Sequence, residues 1–105
     1  MLIYHSQFGD ENVTLHLHKY QNGNLAIQMI CHDADGFEEP FAMMTKNFVK
    51  LKPNMAFVDV NNLPEVIPFI TDNNLGKLMS TRFTSGYCVY PLVEFNLEEV
   101  KKHEI

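Results

Sequence analysis

Two histidines two residues apart, His16 and His18, form the pair whose spacing is most typical of a metal site in this sequence. Alternate residues of a strand share one face, so both imidazoles are expected to point the same way. A metal site needs a third and usually a fourth ligand, often a carboxylate or a further histidine. The expected cross-strand neighbours, Gln28 and Ala26, supply no good ligand. The pair therefore predicts an exposed or half-exposed strand face, with a metal-dependent enzyme or metal-binding protein centred on these histidines as the alternative.

Two other stretches have the residue types for chemistry but lack the full pattern. Asp33 and Asp35 before Gly36 resemble the start of a calcium loop, but the third alternating oxygen and the final bidentate glutamate are missing. Turn formation explains this stretch better. Cys88 is expected on a strand, with no helix N-terminus nearby to activate the thiol. The chain also lacks serine-hydrolase, phosphate-binding and zinc-protease motifs, so we predict no catalytic residue, no bound metal and no cofactor.

An aromatic strand near the C-terminus invites comparison with proteins that bind single-stranded nucleic acid, which stack bases on exposed rings. Tyr87, Tyr90 and Phe95 are the rings concerned. The accompanying basic residues are few, with Lys77 and Arg82 the main ones. Core packing of these rings is therefore expected, and binding of single-stranded nucleic acid is the second alternative function.

The composition is that of one globular domain spanning residues 1–105. Hydrophobic residues make up 46% and charged residues 20% of the chain, ordinary values for a domain with its own core. The net charge of −5 argues against binding nucleic acid through overall charge. No apolar run has the length of a membrane span, and the first residues lack the features of a signal peptide. We therefore expect a cytoplasmic protein with reduced cysteines and no membrane partner.

The clearest secondary-structure signal is a β-hairpin formed by residues 13–20 and 25–31, in which apolar and polar residues alternate. A two-residue Asn-Gly turn would pair apolar with polar positions and mix the two faces. A three-residue loop that ends at Gly23 in a left-handed conformation instead pairs Leu17 with Ile27, and the apolar residues then meet. The sequence therefore predicts a bulged hairpin with one apolar face.

A third strand, residues 39–46, is expected to follow a similar loop that ends at Gly36. This register places Phe41 and Met43 on the inner, apolar face of a three-stranded antiparallel meander. The opposite face, which we call the outer face, carries His16, His18, Tyr20, Ala26, Gln28, Ile30, Ala42 and Met44. Because this face is half apolar, it is a candidate for contact with another protein.

The rest of the chain is expected to add further strands and one or two short helices. The predicted elements outside the meander are a strand over 1–8 with a turn at 9–12, a loop over 46–55, a strand over 56–60, a helix near 63–73, a loop over 75–86, a strand over 86–95 and a helix near 97–103. The predicted fold class is therefore α+β: an antiparallel sheet containing a meander of strands near 13–20, 25–31 and 39–46, with the short helices packed on it.

The two helices carry recognisable signals at their ends. Asn62 and Asn96 are predicted N-caps of the first and second helix. Pro68 removes one backbone donor, so the first helix is expected to start late or bend there. Asn73 or Asn74 is expected to end that helix in a left-handed conformation.

Several segments together resemble a domain-of-unknown-function family of small bacterial proteins, often found on conjugative elements, plasmids and phages of Gram-positive bacteria. The segments that carry this resemblance are NGNLAIQM (22–29), EPFAMMTKNF (39–48), AFVDVNN (56–62), NNLGK (73–77) and SGYCVYPLVEFNL (85–97). The resemblance implies a cytoplasmic accessory protein of a mobile genetic element. It implies no activity and no catalytic residue.

The leading functional hypothesis from the sequence is a small non-enzymatic module that binds a protein partner, or a second copy of itself, through the outer face or an edge of its sheet. The half-apolar outer face motivates it. The residues predicted to contact the partner are His16, His18, Tyr20, Ile30 and Met44.

Overall fold

The structure is a computed structural model that describes residues 1–104. Within this range the chain forms two four-stranded antiparallel sheets and two short helices, which confirms the α+β fold. In chain order the elements are β1 (Leu2–Ser6), β2 (Gly9–Lys19), β3 (Leu25–His32), β4 (Glu38–Met43), β5 (Thr45–Lys46), β6 (Met55–Val58), α1 (Val66–Asp72), β7 (Gly76–Ser85), β8 (Cys88–Phe95) and α2 (Leu97–Lys101). The first sheet has the strand order β1-β2-β3-β4, and the second has the order β5-β6-β8-β7.

The β2–β3 hairpin has the predicted register. Leu17 lies opposite Ile27, and the same pairing continues along both strands. The backbone N–H of Gly23 donates to the carbonyl of Tyr20 at 2.8 Å, and Gly23 has a φ of +86°, as the three-residue loop requires. The inner face is fully buried at Val13, Leu15, Ile27 and Met29.

The third strand of the meander departs from the predicted register at a β-bulge. Pro40 lies opposite Ile30 as expected, but Phe41 is then an extra residue in β4, and the pairing resumes one position later. Proline cannot donate a ladder hydrogen bond, and within sheets it is confined to edges and bulges. The prediction that Met43 faces inward and Met44 outward is therefore wrong: Met43 is 39% exposed, whereas Met44 is fully buried.

Met44 joins the two sheets through its backbone. Its N–H donates to the carbonyl of Ile27 in β3, and its carbonyl accepts from the N–H of Asp59 just after β6, both at 2.9 Å. The core that surrounds it includes Tyr4, Leu15, Ile27, Met29, Val58, Val66, Phe69, Ile70, Leu75, Val93 and Val100. Both sheets and both helices contribute to this core.

The first hairpin turns earlier than predicted. β1 ends at Ser6, the turn consists of Gln7 and Phe8, and β2 begins at Gly9, which has a φ of +126°. The predicted turn at 9–12 therefore lies inside β2. Its turn-forming residue types are overridden because the longer pairing buries Leu2 and Tyr4 of β1 in the core.

Helix α1 begins later than the predicted N-cap. It starts at Val66, and Asn62 instead donates its backbone N–H and its side-chain amide to the buried carboxylate of Asp59, at 3.3 and 2.7 Å. Pro68 occupies the third helical position, where the backbone nitrogen has no intrahelical acceptor, so the proline removes no hydrogen bond. Asn74 follows with a φ of +57°, the predicted left-handed end.

Residues 75–86 are largely a strand, so the predicted loop is wrong. β7 pairs with β8 through a two-residue turn, Gly86-Tyr87, in which Gly86 has a φ of +61°. Most side chains of β7 are exposed, and the strand therefore shows no apolar alternation in the sequence. Pro91 of β8 lies opposite Arg82, beside a bulge in β7, which is a position that proline tolerates.

The C-terminal helix lies where the sequence predicts it. The Asn96 side chain accepts a hydrogen bond from the N–H of Glu99 at 3.3 Å, and Val100 is fully buried. Beyond the helix, the carbonyl of His103 accepts from the N–H of Leu15 at 2.9 Å. His103 and Glu104 therefore cover part of the β2 edge that β1 leaves unpaired.

Because of the bulge at Phe41, we expect substitutions of two neighbouring methionines to differ in their effect on the free energy of unfolding. Met44→Ala should lower the free energy of unfolding by about 2–5 kcal/mol, because it opens a cavity in the core. Met43→Ala should lower it by less than about 1 kcal/mol, because that side chain faces solvent. Urea denaturation followed by circular dichroism measures both. A larger loss for Met43→Ala than for Met44→Ala would show that the strand lacks the bulge.

Candidate functional site

The structure places His16 and His18 on the outer face, as the alternation predicts. Their ring centroids are 6.1 Å apart. The Nε2 atom of His16 is buried without a hydrogen-bond partner among the described residues, whereas His18 is exposed. Residues 1–104 contain no group of three histidine, cysteine, aspartate or glutamate side chains placed to hold a metal ion. The histidine pair therefore has no third ligand of these types for the hypothesised metal centre.

The other three predicted partner-binding residues are used within the fold. The Tyr20 hydroxyl donates to a backbone carbonyl of β5 at 3.1 Å. Ile30 is only 8% exposed, and Met44 lies in the core rather than on the outer face because of the bulge in β4. His18 and Met43 remain accessible on this face. A partner contact at His18 stays a prediction.

The aromatic strand forms a second apolar cluster. Tyr90 is buried there, and the parallel rings of Phe48 and Phe83 stack with centroids 4.4 Å apart. Phe95 belongs to the main core, which leaves Tyr87 exposed at the turn of the β7–β8 hairpin. The expectation of core packing is confirmed for Tyr90 and Phe95, which cannot serve as a stacking platform, but it is wrong for Tyr87, because the hairpin turn holds that ring in solvent.

A threonine and a histidine on the outer face form a polar pair that sequence reasoning missed. The Oγ1 of Thr14 and the Nε2 of His32 are 2.7 Å apart. Glu38 lies 3.7 Å from the Nδ1 of the same imidazole, which is too far for a hydrogen bond. Thr14 and His32 therefore form a cross-strand polar contact, with Glu38 at ion-pair distance from the imidazole.

A cavity of approximately 700 Å³ lies between strand β1 and helix α1. Its volume falls within the range of typical ligand clefts. The residues that line it are Met1, Leu2, Ile3, His5, Pro64, Glu65, Pro68, Phe69, Asp72 and Asn73. One wall is thus the outer edge of the first sheet, and the other is the start and one side of α1.

The β1 wall of this cavity carries unpaired backbone groups. Ser6 lies opposite Gly9 across the two-residue turn, so this pair exchanges hydrogen bonds, and hydrogen-bonded pairs then alternate along the hairpin. The N–H and C=O groups of Ile3 and His5 therefore point away from β2. They form no hydrogen bond with another residue in the described range. Two donors and two acceptors are left open to an added strand.

The other sheet edges carry the features that normally prevent strand addition. β4 has Pro40 and the acidic residues Glu38 and Glu39, and β5 is only two residues long. β7 is interrupted by a bulge and carries Lys77 and Arg82. β1 has neither proline, lysine nor bulge. The sequence shows that β1 contains no proline or lysine. Only the strand order of the structure shows that β1 lies at an edge of the sheet.

Glu65 holds the two walls at a fixed distance. Its carboxylate accepts a hydrogen bond from the Tyr4 hydroxyl and one from the backbone N–H of Gln7, each at 3.0 Å. The Tyr4 ring is fully buried between Phe41 and Phe69, with centroids 5.6 and 5.1 Å away. Burial, followed by the hydrogen bond to Glu65, raises the pKa of Tyr4 above its usual range. The tyrosine therefore stays a neutral donor to the carboxylate.

A second cavity of approximately 390 Å³ continues the first, because both are lined by Pro64 and Glu65. Its other lining residues are Tyr4, Ser6, Gln7, Phe8, Glu11, Phe41, Ala42, Asn62 and Leu63. We call the two cavities together the β1–α1 groove. No lysine or arginine side chain lines it, whereas three carboxylates do: Glu11, Glu65 and Asp72.

The family described as a domain of unknown function, DUF4313, matches residues 14–105. The chain belongs to the DUF4313 family. Neither the curated proteins nor the solved structures give a match. The match to DUF4313 begins at Thr14, inside β2, so strand β1 lies outside the matched residues. None of the helices formed by residues 1–104 has the length and apolar character needed to cross a membrane.

The raised pKa of Tyr4 predicts a loss of stability in alkali. Above the tyrosine's ordinary pKa of 10.0 the unfolded chain releases a proton that the folded chain retains, so the free energy of unfolding falls as pH rises further. Tyr4→Phe should remove this part of the decline while lowering stability at neutral pH, because Glu65 loses a donor. Denaturation of both proteins at several pH values measures the difference. Parallel curves above pH 10 would contradict the prediction.

Proposed function

We propose that this DUF4313 protein is a non-enzymatic protein-binding module that receives an extended segment of a partner protein along the free edge of β1. The observation that carries the proposal is the set of unpaired backbone groups on Ile3 and His5, which face the β1–α1 groove. Strand addition of this kind draws affinity from main-chain hydrogen bonds and specificity from side-chain pockets. The groove offers both.

The geometry of an added strand follows from that of the sheet. The segment would lie about 4.8 Å from β1 and hydrogen-bond to the four open groups, as the fifth strand of the first sheet. Its side chains would alternate between two environments. One set would point under α1 toward Pro68 and Phe69, and the other would lie beside Ile3 and His5 on the solvent side.

The proposed complex is transient rather than permanent. β1 is five residues long, so a segment paired with it buries less surface than a standard protein–protein interface. Each main-chain hydrogen bond adds only about 0.5–1.5 kcal/mol, because it replaces bonds to water. We therefore expect dissociation constants in the micromolar range.

The setting of this function is part of the same proposal. The segments quoted above resemble proteins of conjugative elements, plasmids and phages of Gram-positive bacteria, so we place the module in the cytoplasm as an accessory protein of such an element. The partner is then expected among the proteins of that element. Inspection of the genes beside the gene for this chain tests the setting: mobile-element genes would support it, and a consistently chromosomal metabolic neighbourhood would oppose it.

Replacing Ile3 tests the open edge directly. Ile3→Pro removes an N–H that points away from β2, so the β1–β2 pairing is kept while one donor of the groove is lost. Peptides selected from a random phage-displayed library on the wild-type protein should bind Ile3→Pro about tenfold more weakly, by fluorescence anisotropy. Binding should also slow the hydrogen exchange of the Ile3 and His5 amides in the wild-type protein.

Ile3→Ala is the matched control. It removes the same side chain but keeps the backbone donor, so the peptides should bind Ile3→Ala more tightly than Ile3→Pro, and the difference between the two variants measures the lost N–H. Thermal melts establish that both variants are folded. A library that yields no binding peptide, or peptides that bind Ile3→Pro as tightly as the wild-type protein, would falsify the proposed function.

A further inference from the structure

We infer that the β1–α1 groove selects extended segments of a partner protein that carry an aromatic or large aliphatic side chain at one end and a lysine or arginine at the other. The inference rests on the proposed strand addition and names the chemistry of the partner. The two ends of the groove differ in their lining, and this difference carries the selectivity.

The end of the groove at the β1–β2 turn is the more apolar of the two, although the carboxylates of Glu11 and Glu65 also line it. Phe8, in the turn, is 91% exposed although it lines this end, and Phe41 is half-buried beside it. Ala42, Leu63 and Pro64 complete the apolar part of the lining. An exposed phenylalanine on the rim of a cavity gains contact area when a large apolar side chain enters. A binding anchor of this kind is typical of interface hot spots.

The end of the groove at the C-terminus of α1 is acidic. Asp72 is exposed and forms no salt bridge with a described residue. Glu65 lines the same cavity about two helical turns away, and its oxygens accept hydrogen bonds from Tyr4 and Gln7. The imidazole of His5 is already hydrogen-bonded to Asp10 at 2.8 Å. A basic side chain of the partner would therefore complement the Asp72 carboxylate, which no lysine or arginine side chain of the groove faces.

A second copy of this chain fits the groove less well than a basic peptide. The β1 strand of a second copy is flanked by its own α1, so pairing of two β1 edges sets two helices side by side. It also brings two acidic grooves together in a chain with a net charge of −5. A separate basic segment meets neither obstacle, and we take it as the occupant.

The apolar end is tested with two exposed phenylalanines. Phe8→Ala should weaken binding of a library-selected peptide at least about fivefold, because the partner's anchor loses its contact. Phe37→Ala is the matched control, since Phe37 is 72% exposed near the β3–β4 turn and lines neither cavity. It should leave the affinity unchanged. Equal effects of the two variants would overturn this half of the inference.

The acidic end is tested with two exposed aspartates. Asp72→Asn should weaken binding about two- to fivefold, within the range of exposed ion pairs, and the loss should shrink as salt is added. Asp35→Asn, in the β3–β4 loop, removes the same charge outside the groove and should have no effect. Replacing the peptide's lysine or arginine with glutamine should weaken binding to the wild-type protein but not to Asp72→Asn.

The outcomes separate this inference from the proposed function. Peptides that protect the Ile3 and His5 amides, but show no preference for an aromatic or aliphatic anchor and a basic residue, would overturn the inference and leave strand addition standing. Failure to protect those amides would overturn both. Sedimentation showing a dimer in which the same amides are protected without peptide would identify a second copy as the occupant and also overturn the inference.

Discussion

The register of the β2–β3 hairpin is the constraint on which the rest of the structure depends. Side chains alternate with a period of two along a strand, so a slip by one residue would exchange the inner and outer faces of the first sheet. Gly23 fixes the register because its positive φ closes a loop of three residues rather than two. β1 pairs with the same strand and inherits this alignment, so that Tyr4 points into the core and reaches Glu65. The position of the groove therefore depends on Gly23, which lies at the opposite end of the sheet.

The contact between Tyr4 and Glu65 fixes helix α1 relative to the aligned strand β1 and so forms the groove between them. Because both carboxylate oxygens accept hydrogen bonds from the β1–β2 hairpin, the start of α1 is held beside the edge strand instead of covering it. The buried tyrosine needs an acceptor for its hydroxyl, and the carboxylate supplies a strong one. The edge strand is thus fixed on both sides, by β2 through its backbone and by α1 through one side chain. A fixed edge loses less entropy when it binds than a mobile one.

Features determined by local residues were predictable from the sequence, whereas features that depend on distant contacts were not. The β2–β3 register and the Asn96 cap follow from signals within a few residues. The bulge at Phe41 was not predictable. Pro40 indicates an irregularity in the strand, but it does not determine whether the extra residue precedes or follows the proline. The groove depends on a contact between residues 61 positions apart. The sequence predicted the strand that lines the groove. Residues 1–8 alone do not show where this strand lies in the sheet or which helix lies beside it.

An unprotected strand edge is a liability, because its open donors and acceptors can pair with any extended chain. This protein blocks such pairing at β4 with Pro40 and adjacent carboxylates, and at β7 with a bulge and two cations, but leaves β1 open. Helix α1 limits what the open edge can accept. A flat sheet of another molecule would collide with the helix, whereas a single extended segment fits between the helix and the strand. The helix that forms one wall of the groove thus also restricts uncontrolled association. An edge that is open to one extended segment but shielded from other sheets fits the proposed recognition of a partner better than an edge left unprotected by chance.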